Sequence, residues 1–313
     1  MSDDKMTPSM HLNEQSLLKP SIQLWKHYLL DQGRSIHTVK AFVADLNLLD
    51  AFLPADKQIG TITTKDLEGF THWLEKERNV PCSPKSLARR ITSIKSFFRW
   101  LSQFRVISND PTEKLVQLTV ISPLPVVLTQ FEYQRVLDHA NALRYSDKPD
   151  ARPFTLLALI LDTAIKKGEC LALMTNHIEA EPADSAHIYV RYTNPRYRYK
   201  ERKLPVSASW VDAYQEYLEQ YQPQNEVFPW SPRRLEYIFE DIGDDIGLDK
   251  HLSFDMCRWT SALQDLVNGV EPDKIRQKLG VSKIQWREVN LKLRKLAKQQ
   301  GLELTSQGSE TEA

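Results

Sequence analysis

The chain has 313 residues, a length that allows two domains with separate hydrophobic cores. Its 41 basic and 41 acidic residues give a formal net charge of +0, so any nucleic-acid-binding surface requires local segregation of basic side chains. A hydrophobic content of 41% excludes a wholly disordered chain.

The cysteines and the apolar segments narrow the class of protein further. The three cysteines, Cys82, Cys170 and Cys257, are odd in number and scattered, so they predict neither a disulfide framework nor a metal site. The first residues lack the layout of a signal peptide, and the longest apolar run, residues 154–165, is too short to cross a membrane. We therefore expect a cytoplasmic protein with no metal, no other cofactor and no membrane contact.

The first half of the chain predicts a disordered lead followed by a helical domain. Residues 1–18 are polar and predict disorder. Over residues 19–114, apolar side chains recur at helical spacing in four segments, which begin near Ser21, after Ser35, near Thr64 and at Ser83.

The last of these helices, residues 83–104, is strongly basic on its polar faces. Ser83 followed by Pro84 is typical of a helix start. The segment has five basic side chains and no acidic one, which favours contact with phosphate over a merely solvated face. The predicted contacts are Lys85, Arg89, Arg90, Lys95 and Arg99.

A linker and a second domain follow. Residues 115–128 contain two prolines and no helical period, which predicts an extended linker. The second domain, residues 129–300, begins with a helix, and the polar residues 301–313 predict a disordered tail.

Within the second domain, one segment predicts a basic hairpin. Alternating side chains at residues 187–190 and 203–206 are typical of two antiparallel strands. The connection, residues 191–203, has six basic residues and one acidic residue interleaved with three tyrosines. Such a composition favours a phosphate contact over a solvated loop.

The stretch Leu252 to Thr260 predicts the start of another helix, with Ser253 as its N-cap. Arg258 lies one turn into this helix among apolar residues. Because an unpaired buried charge is costly, its guanidinium must find an anion or a carboxylate. A structural salt bridge is the plainer interpretation.

Three segments resemble sequence boxes of the tyrosine recombinases, the phage-integrase and Xer family. Residues 163–173, TAIKKGECLAL, are similar to Thr-Gly-Leu-Arg-x-x-Glu-x-Leu-x-Leu, and residues 252–261, LSFDMCRWTS, to Leu-Ser-x-His-x-Leu-Arg-His-Thr/Ser. Leu279-Gly280-Val281 is similar to a Leu-Gly-His box. The resemblance implies a mainly α, two-domain fold. Its parts are an N-terminal helical core-binding (SAM-like) bundle and a C-terminal α+β domain of tyrosine-recombinase catalytic type with a small antiparallel sheet.

In active members of that family, a tyrosine hydroxyl attacks a DNA phosphodiester, and fixed cations offset the charge of the phosphorane. The resemblance places most catalytic positions on other residue types. In the order first Arg, Lys, first His, second Arg, second His and nucleophilic Tyr, these positions fall on Lys166, Tyr197, Asp255, Arg258, Val281 and Asn290. The register at the Lys position stays open, and its charge could come instead from Arg196, Arg198 or Lys200.

The nucleophile position decides the functional expectation. No tyrosine follows Tyr237 in the sequence, so we expect that the chain is not an enzyme and that its remaining cations bind phosphate. The predicted nucleic-acid contacts in this half are Lys166, Arg196, Arg198, Lys200, Arg202 and Arg258.

The sequence thus favours a sequence-specific double-stranded DNA-binding protein. It would serve as a target-site selector, or as an accessory or regulatory factor of a mobile element or of DNA recombination, beside a transposase or an active recombinase. We expect a bacterial, nucleoid-associated protein that can form homo-oligomers on DNA through its C-terminal helix. One alternative is an active site-specific recombinase whose nucleophile comes from a partner or an unrecognised residue. Another is a protein-interaction scaffold whose basic surfaces meet an acidic partner.

Overall fold

The computed structural model describes residues 12–80, 82–117 and 122–304. The predictions for residues 1–11, for residues 118–121 of the linker and for residues 305–313 lie outside the described residues. The chain divides into two compact units, residues 1–123 and 124–313. Each unit has its own apolar core.

The described part of the first unit contains four α-helices. They are α1 (Leu18–Asp31), α2 (Ile36–Phe52), α3 (Thr64–His72) and α4 (Pro84–Gln103). Side-chain caps explain their starts, because the hydroxyls of Ser35 and Ser83 accept from backbone N–H groups of the first turn. Thr63 and Asp66 form a capping box, so α3 is capped one residue before the predicted Thr64.

The predicted disordered lead is too long at its C-terminal end. The Glu14 carboxylate accepts from the Ser108 backbone N–H at 2.9 Å and from the Ser108 hydroxyl at 2.6 Å. The Glu14 carbonyl accepts from the Gly60 N–H at 2.8 Å. These hydrogen bonds hold a polar segment against the first unit, which a criterion based on composition alone does not reveal.

The described part of the second unit is helical around one small sheet. Its α-helices are α5 (Gln130–Ala142), α6 (Arg152–Thr163), α7 (Lys167–Leu171), α8 (Ala208–Tyr221), α9 (Pro232–Asp245), α10 (Phe254–Val267), α11 (Pro272–Leu279) and α12 (Lys283–Gln299). The apolar helix α6 is buried along nearly its whole length and forms the centre of the core.

The sheet has three antiparallel strands in the order β1 (Ile178–Glu179), β2 (His187–Val190) and β3 (Arg202–Pro205). The register pairs Ile188 with Leu204 and Val190 with Arg202. The predicted hairpin forms, but its connection is a 3₁₀ turn, Pro195–Lys200, capped by the Asn194 side chain. Mainly helical structure with one small antiparallel sheet confirms the predicted fold class.

The described parts of the predicted linker contain neither helix nor strand. Leu115 is buried in the core of the first unit, and Val127 and Leu128 are buried in the second. The Gln117 amide donates to the Ala88 carbonyl at 3.1 Å.

Across residues 12–80, 82–117 and 122–304, no helix has the length and apolar character needed to cross a membrane.

Candidate functional site

Helix α4 presents a row of cations to solvent. Lys85, Arg89 and Arg99 are exposed, and Lys95 is half-buried between them along the helix. Successive residues of an α-helix are about 100° apart, so Lys85, Arg89, Lys95 and Arg99 fall within about 120° of the helix circumference, and Lys85 and Arg99 are about 21 Å apart along the axis. Among the described residues, Lys85, Lys95 and Arg99 have neither a hydrogen-bond nor an ion-pair partner. Their charges are therefore free to meet an anion.

Arg89 and Arg90 differ from the rest of this row, because helix α2 supplies the acid that α4 lacks. The buried Asp45 carboxylate accepts from the Arg89 guanidinium, lies 3.6 Å from Arg90 Nε, and accepts from the Ser93 hydroxyl at 2.7 Å. Burial raises the pKa of Asp45, although these partners act in the opposite direction. The Arg89 side chain is still 43% exposed, but that of Arg90 is only 15% exposed. Arg90 is held by the charge of Asp45 and by Cys82, whose Sγ accepts from Arg90 Nη1 at 2.8 Å, and its predicted phosphate contact stays a prediction.

In the second unit, three cations converge on the C-terminal end of α11. Lys166 Nζ donates to the Gly280 carbonyl at 2.6 Å, Arg258 Nη2 to the Leu279 carbonyl at 2.7 Å, and Arg202 Nε to the Lys278 carbonyl at 3.0 Å. A helix C-terminus is negative and has unpaired carbonyls, so it attracts such donors. Lys166, Arg202 and Arg258 are called the cation cluster below.

The guanidinium of Arg258 donates to backbone carbonyls and not to the anion or carboxylate that the sequence predicted. Its Nε also donates to the Ala164 carbonyl at 2.8 Å, so backbone carbonyls take the place of the expected anion or carboxylate. Burial lowers the pKa of Arg258. Asp255, one turn earlier on α10, is exposed and raises that pKa only through its field.

Lys166 is half-buried at the N-terminus of α7. Burial lowers the pKa of Lys166, and the charges of Arg258, Arg202 and Lys200 lower it further, while Glu169 raises it. An anion bound beside Lys166 would offset this repulsion among cations. The cation cluster can therefore bind a phosphate through the N–H groups of Lys166 and Arg258 that the carbonyls do not use.

Glu169 is the residue of this site that the sequence interpretation missed. Its buried carboxylate accepts from Arg202 Nη2 at 2.7 Å, from Arg202 Nη1 at 3.1 Å and from the Tyr192 hydroxyl. Burial raises the pKa of Glu169, but the hydrogen bonds and charge of Arg202 outweigh it, so the pKa lies below its ordinary value. The signal was present, because Glu169 matches the Glu of the Thr-Gly-Leu-Arg-x-x-Glu box.

The 3₁₀ turn carries the remaining predicted contacts. Arg196 and Arg198 are exposed, as are Tyr197 and Tyr199. Lys200 lines a cleft of about 330 Å³ together with Arg202, Gly280 and Val281, whereas Tyr197 does not line it. Of the alternatives at the family's Lys position, Lys200 is the cation that shares this cleft with the cluster.

Comparisons with known proteins match this arrangement. Residues 22–103 match the profile of the phage integrase N-terminal SAM-like domain. The tyrosine recombinase XerD of Listeria monocytogenes is 22% identical over 301 residues, which cover 88% of this chain and 94% of that protein. The tyrosine recombinase XerC of Mycobacterium bovis is 27% identical over 194 residues, 62% of either chain. Along most of its length, the chain is similar to the tyrosine recombinases.

Solved structures of this family show the same fold. A lambda integrase (75-356) dimer bound to a COC′ core site has a TM-score of 0.69 at 14% identity, covering 88% of this chain and 95% of that one. The XerH site-specific recombinase bound to palindromic difH, in a post-cleavage complex, has a TM-score of 0.68 at 15% identity, covering 92% of this chain and 90% of that one.

The named relatives correct one expectation. The relatives are named tyrosine recombinases, which are enzymes, so the prediction that this chain is not an enzyme is wrong. No tyrosine follows Tyr237 in the given sequence, and the position of the nucleophile stays a prediction.

The remaining family positions lie close to the cleft or on α12. Val281 lines the cleft, and Asn290, at the expected nucleophile position, lies in α12. The buried Oδ1 of Asn290 has no hydrogen-bond partner among the described residues. The Tyr192 hydroxyl lies beside the cation cluster and donates a hydrogen bond to the Glu169 carboxylate. Burial and the neighbouring carboxylate raise the pKa of Tyr192 well above its ordinary range. Tyr192 is therefore a poor nucleophile as it stands.

Proposed function

We propose that this chain, which is similar to the tyrosine recombinases, binds a specific double-stranded DNA site in DNA recombination. The observation that carries the proposal is the free cation row of α4, in which Lys85, Lys95 and Arg99 have no partner among the described residues. The cation cluster at the end of α11 supports it, because both surfaces attract phosphate. Phosphate contacts position a protein on a duplex, and base contacts then specify the site.

The finer role that we propose is that of a target-site selector or accessory subunit beside a second recombinase or a transposase. Such a protein acts at the nucleoid of a bacterial cell. Self-association through the C-terminal helix fits the same role, because α12 exposes the apolar side chains of Ile284 and Leu291, two helical turns apart.

The names of the relatives favour a second candidate function, a site-specific recombinase that cleaves DNA itself. Since Tyr192 is occupied by Glu169 and Asn290 has no hydroxyl, we assign the nucleophile in this case to a partner protomer or to a residue outside the usual position. The cation cluster would then offset the charge of the phosphorane.

Selection of DNA fragments by the purified chain, followed by measurement of their affinity at several salt concentrations, tests DNA binding. Removing the charges of Lys85 and Arg99 should weaken binding and lessen the slope of log K against log[salt] by about 2, if each contacts one phosphate. The matched control is Lys19→Ala with Lys65→Ala, two exposed lysines on α1 and α3. An equal loss in the control pair would contradict a specific role for α4.

A suicide substrate separates the two candidate functions. The chain alone, and the chain mixed with a nicked copy of its selected site, would be resolved on a denaturing gel. A covalent protein–DNA adduct that Arg258→Ala weakens supports cleavage by the chain itself. Specific binding without an adduct would contradict the assignment of cleavage to the chain on this substrate.

A further inference from the structure

The 3₁₀ turn Pro195–Lys200 arranges its side chains in pairs of one ring and one cation. A 3₁₀ helix has three residues per turn, so side chains at i and i+3 lie on the same edge, about 6 Å apart along the axis. Tyr197 and Lys200 therefore share one edge, and Arg196 and Tyr199 share the next. Each edge offers a flat apolar surface beside a positive charge.

The two rings of this turn face solvent. Tyr199 is 74% exposed and Tyr197 is 41% exposed. Lys200 Nζ lies 5.0 Å from the Tyr197 ring centroid and 5.4 Å from that of Tyr199. Among the described residues, neither tyrosine hydroxyl has a hydrogen-bond partner. The Tyr197 ring packs on one side against Tyr192, with ring centroids 5.9 Å apart, and both Tyr197 and Tyr199 keep an exposed area on which a planar group can stack.

The turn itself is held in place. The Asn194 side chain accepts from the Arg196 N–H at 3.0 Å, and the Glu201 carboxylate accepts from the Tyr192 N–H at 2.9 Å. Arg202, the next residue after Glu201, is anchored by Glu169. The rings are thus presented on a preorganised element, which reduces the entropy lost on binding.

The chemistry of these pairs selects an unpaired nucleotide. In an intact duplex the base faces are covered by their neighbours, so only base edges are open to a protein. An unstacked base exposes a π-face, and aromatic rings beside basic residues bind such bases while the cations meet the phosphates. Lys200 also lines the cleft of Arg202, so a phosphate held there lies next to a base on the turn.

We propose that Tyr197 and Tyr199 form a stacking platform for unpaired bases, so that the chain binds DNA with a locally opened helix in preference to fully paired DNA. This inference rests on the proposed DNA binding and adds the structural state of the DNA that is preferred. The platform is distinct from the α4 row, whose exposed cations carry no neighbouring exposed ring on their helical face.

The test compares two versions of one selected DNA site, fully paired and with a short bubble of mismatched bases, by fluorescence anisotropy at one salt concentration. The intact chain should bind the bubble about tenfold more tightly for each base that stacks. Tyr197→Leu with Tyr199→Leu should abolish this preference and leave paired-duplex affinity within about twofold, because all the cations remain. Tyr197→Phe with Tyr199→Phe keeps both rings and should keep the preference.

The control variant is Tyr145→Leu, which removes an exposed ring packed beside a cation elsewhere in the same unit and should change neither affinity. A 2-aminopurine base in the bubble should be quenched on binding by the intact chain and not by the double Leu variant. Equal affinity for both DNAs, or a preference that survives the Leu substitutions, would overturn the platform while DNA binding stands. Failure to bind either DNA would overturn the proposed function and the platform together.

Discussion

Removing the charge of Glu169 tests whether its buried ion pair holds the cation cluster in place. In Glu169→Gln the shape of the side chain and one carbonyl acceptor remain, but Arg202 loses its counter-charge. Both side chains are buried, and the carboxylate accepts two hydrogen bonds from the Arg202 guanidinium, at 2.7 and 3.1 Å. The substitution therefore leaves a buried guanidinium without a carboxylate.

The size of the effect follows from that burial. Breaking a buried pair by removing one partner costs about 3–5 kcal/mol, and the retained amide oxygen places Glu169→Gln near the lower end. For a unit of this size, a loss of about 3 kcal/mol lowers the melting temperature by roughly 6–12 °C. Adding Arg202→Met removes the unpaired charge, so the double variant should be more stable than Glu169→Gln by at least about 1 kcal/mol.

Thermal unfolding measured by circular dichroism between about pH 3 and 7 provides the assay and a check of sign. The folded-state pKa of Glu169 lies below its ordinary value, so its stabilisation is present above about pH 4.3 and is lost as the pH falls through the folded pKa. The difference between the intact chain and Glu169→Gln should therefore shrink in acid. A loss under about 1 kcal/mol at pH 7, or a difference that grows in acid, would refute the reasoning.

Three other outcomes follow from the structure. Gly280→Ala should lower the free energy of unfolding, measured by chemical denaturation, by at least about 1–2 kcal/mol, because the φ of Gly280 is +60° and an added Cβ would lie 2.7 Å from Arg202 Nη1. The control is Gly247→Ala, where φ is +59° and no atom lies within 4 Å of an added Cβ. The control has only the backbone strain, so it should lower the free energy of unfolding by less. Duplex affinity should fall by about 10³–10⁵ between 50 and 200 mM salt if roughly 6–10 phosphates are contacted, and a flat titration would contradict phosphate binding. Fragments 20–114 and 125–300 should each bind weakly, and the linked chain should bind about 10²–10⁴ more tightly through effective concentration; one fragment with nearly all the affinity would exclude a two-unit grip on the duplex.

Local features of α4 were readable from the sequence, whereas its charge balance was not. Ser83 caps the helix and Pro84 begins it, as the residue types predict, because both effects act within one turn. The Arg89–Asp45 contact joins residues 44 positions apart. A count of charges within one helix cannot detect such a partner.

In the cation cluster of the second unit, the sequence likewise did not show which groups form hydrogen bonds with each other. The need of Arg258 for a partner was predictable from its apolar neighbours, but carbonyl groups have no signature in a sequence, and two of them meet the need. Glu169 was visible in its sequence box, although its bond to Arg202 depends on how strand β3 meets α7. The resemblance thus located the site, and the folded chain decided which donor meets which acceptor.

The three carbonyls at the end of α11 fix the positions of the cations without using all of their hydrogen-bonding capacity. Lys166 and Arg258 each have more N–H protons than the carbonyls accept from them. Those carbonyls belong to the turn that joins α11 to α12. An anion that adds hydrogen bonds to the remaining N–H groups would therefore tie that turn, through the cations, to the bound ligand.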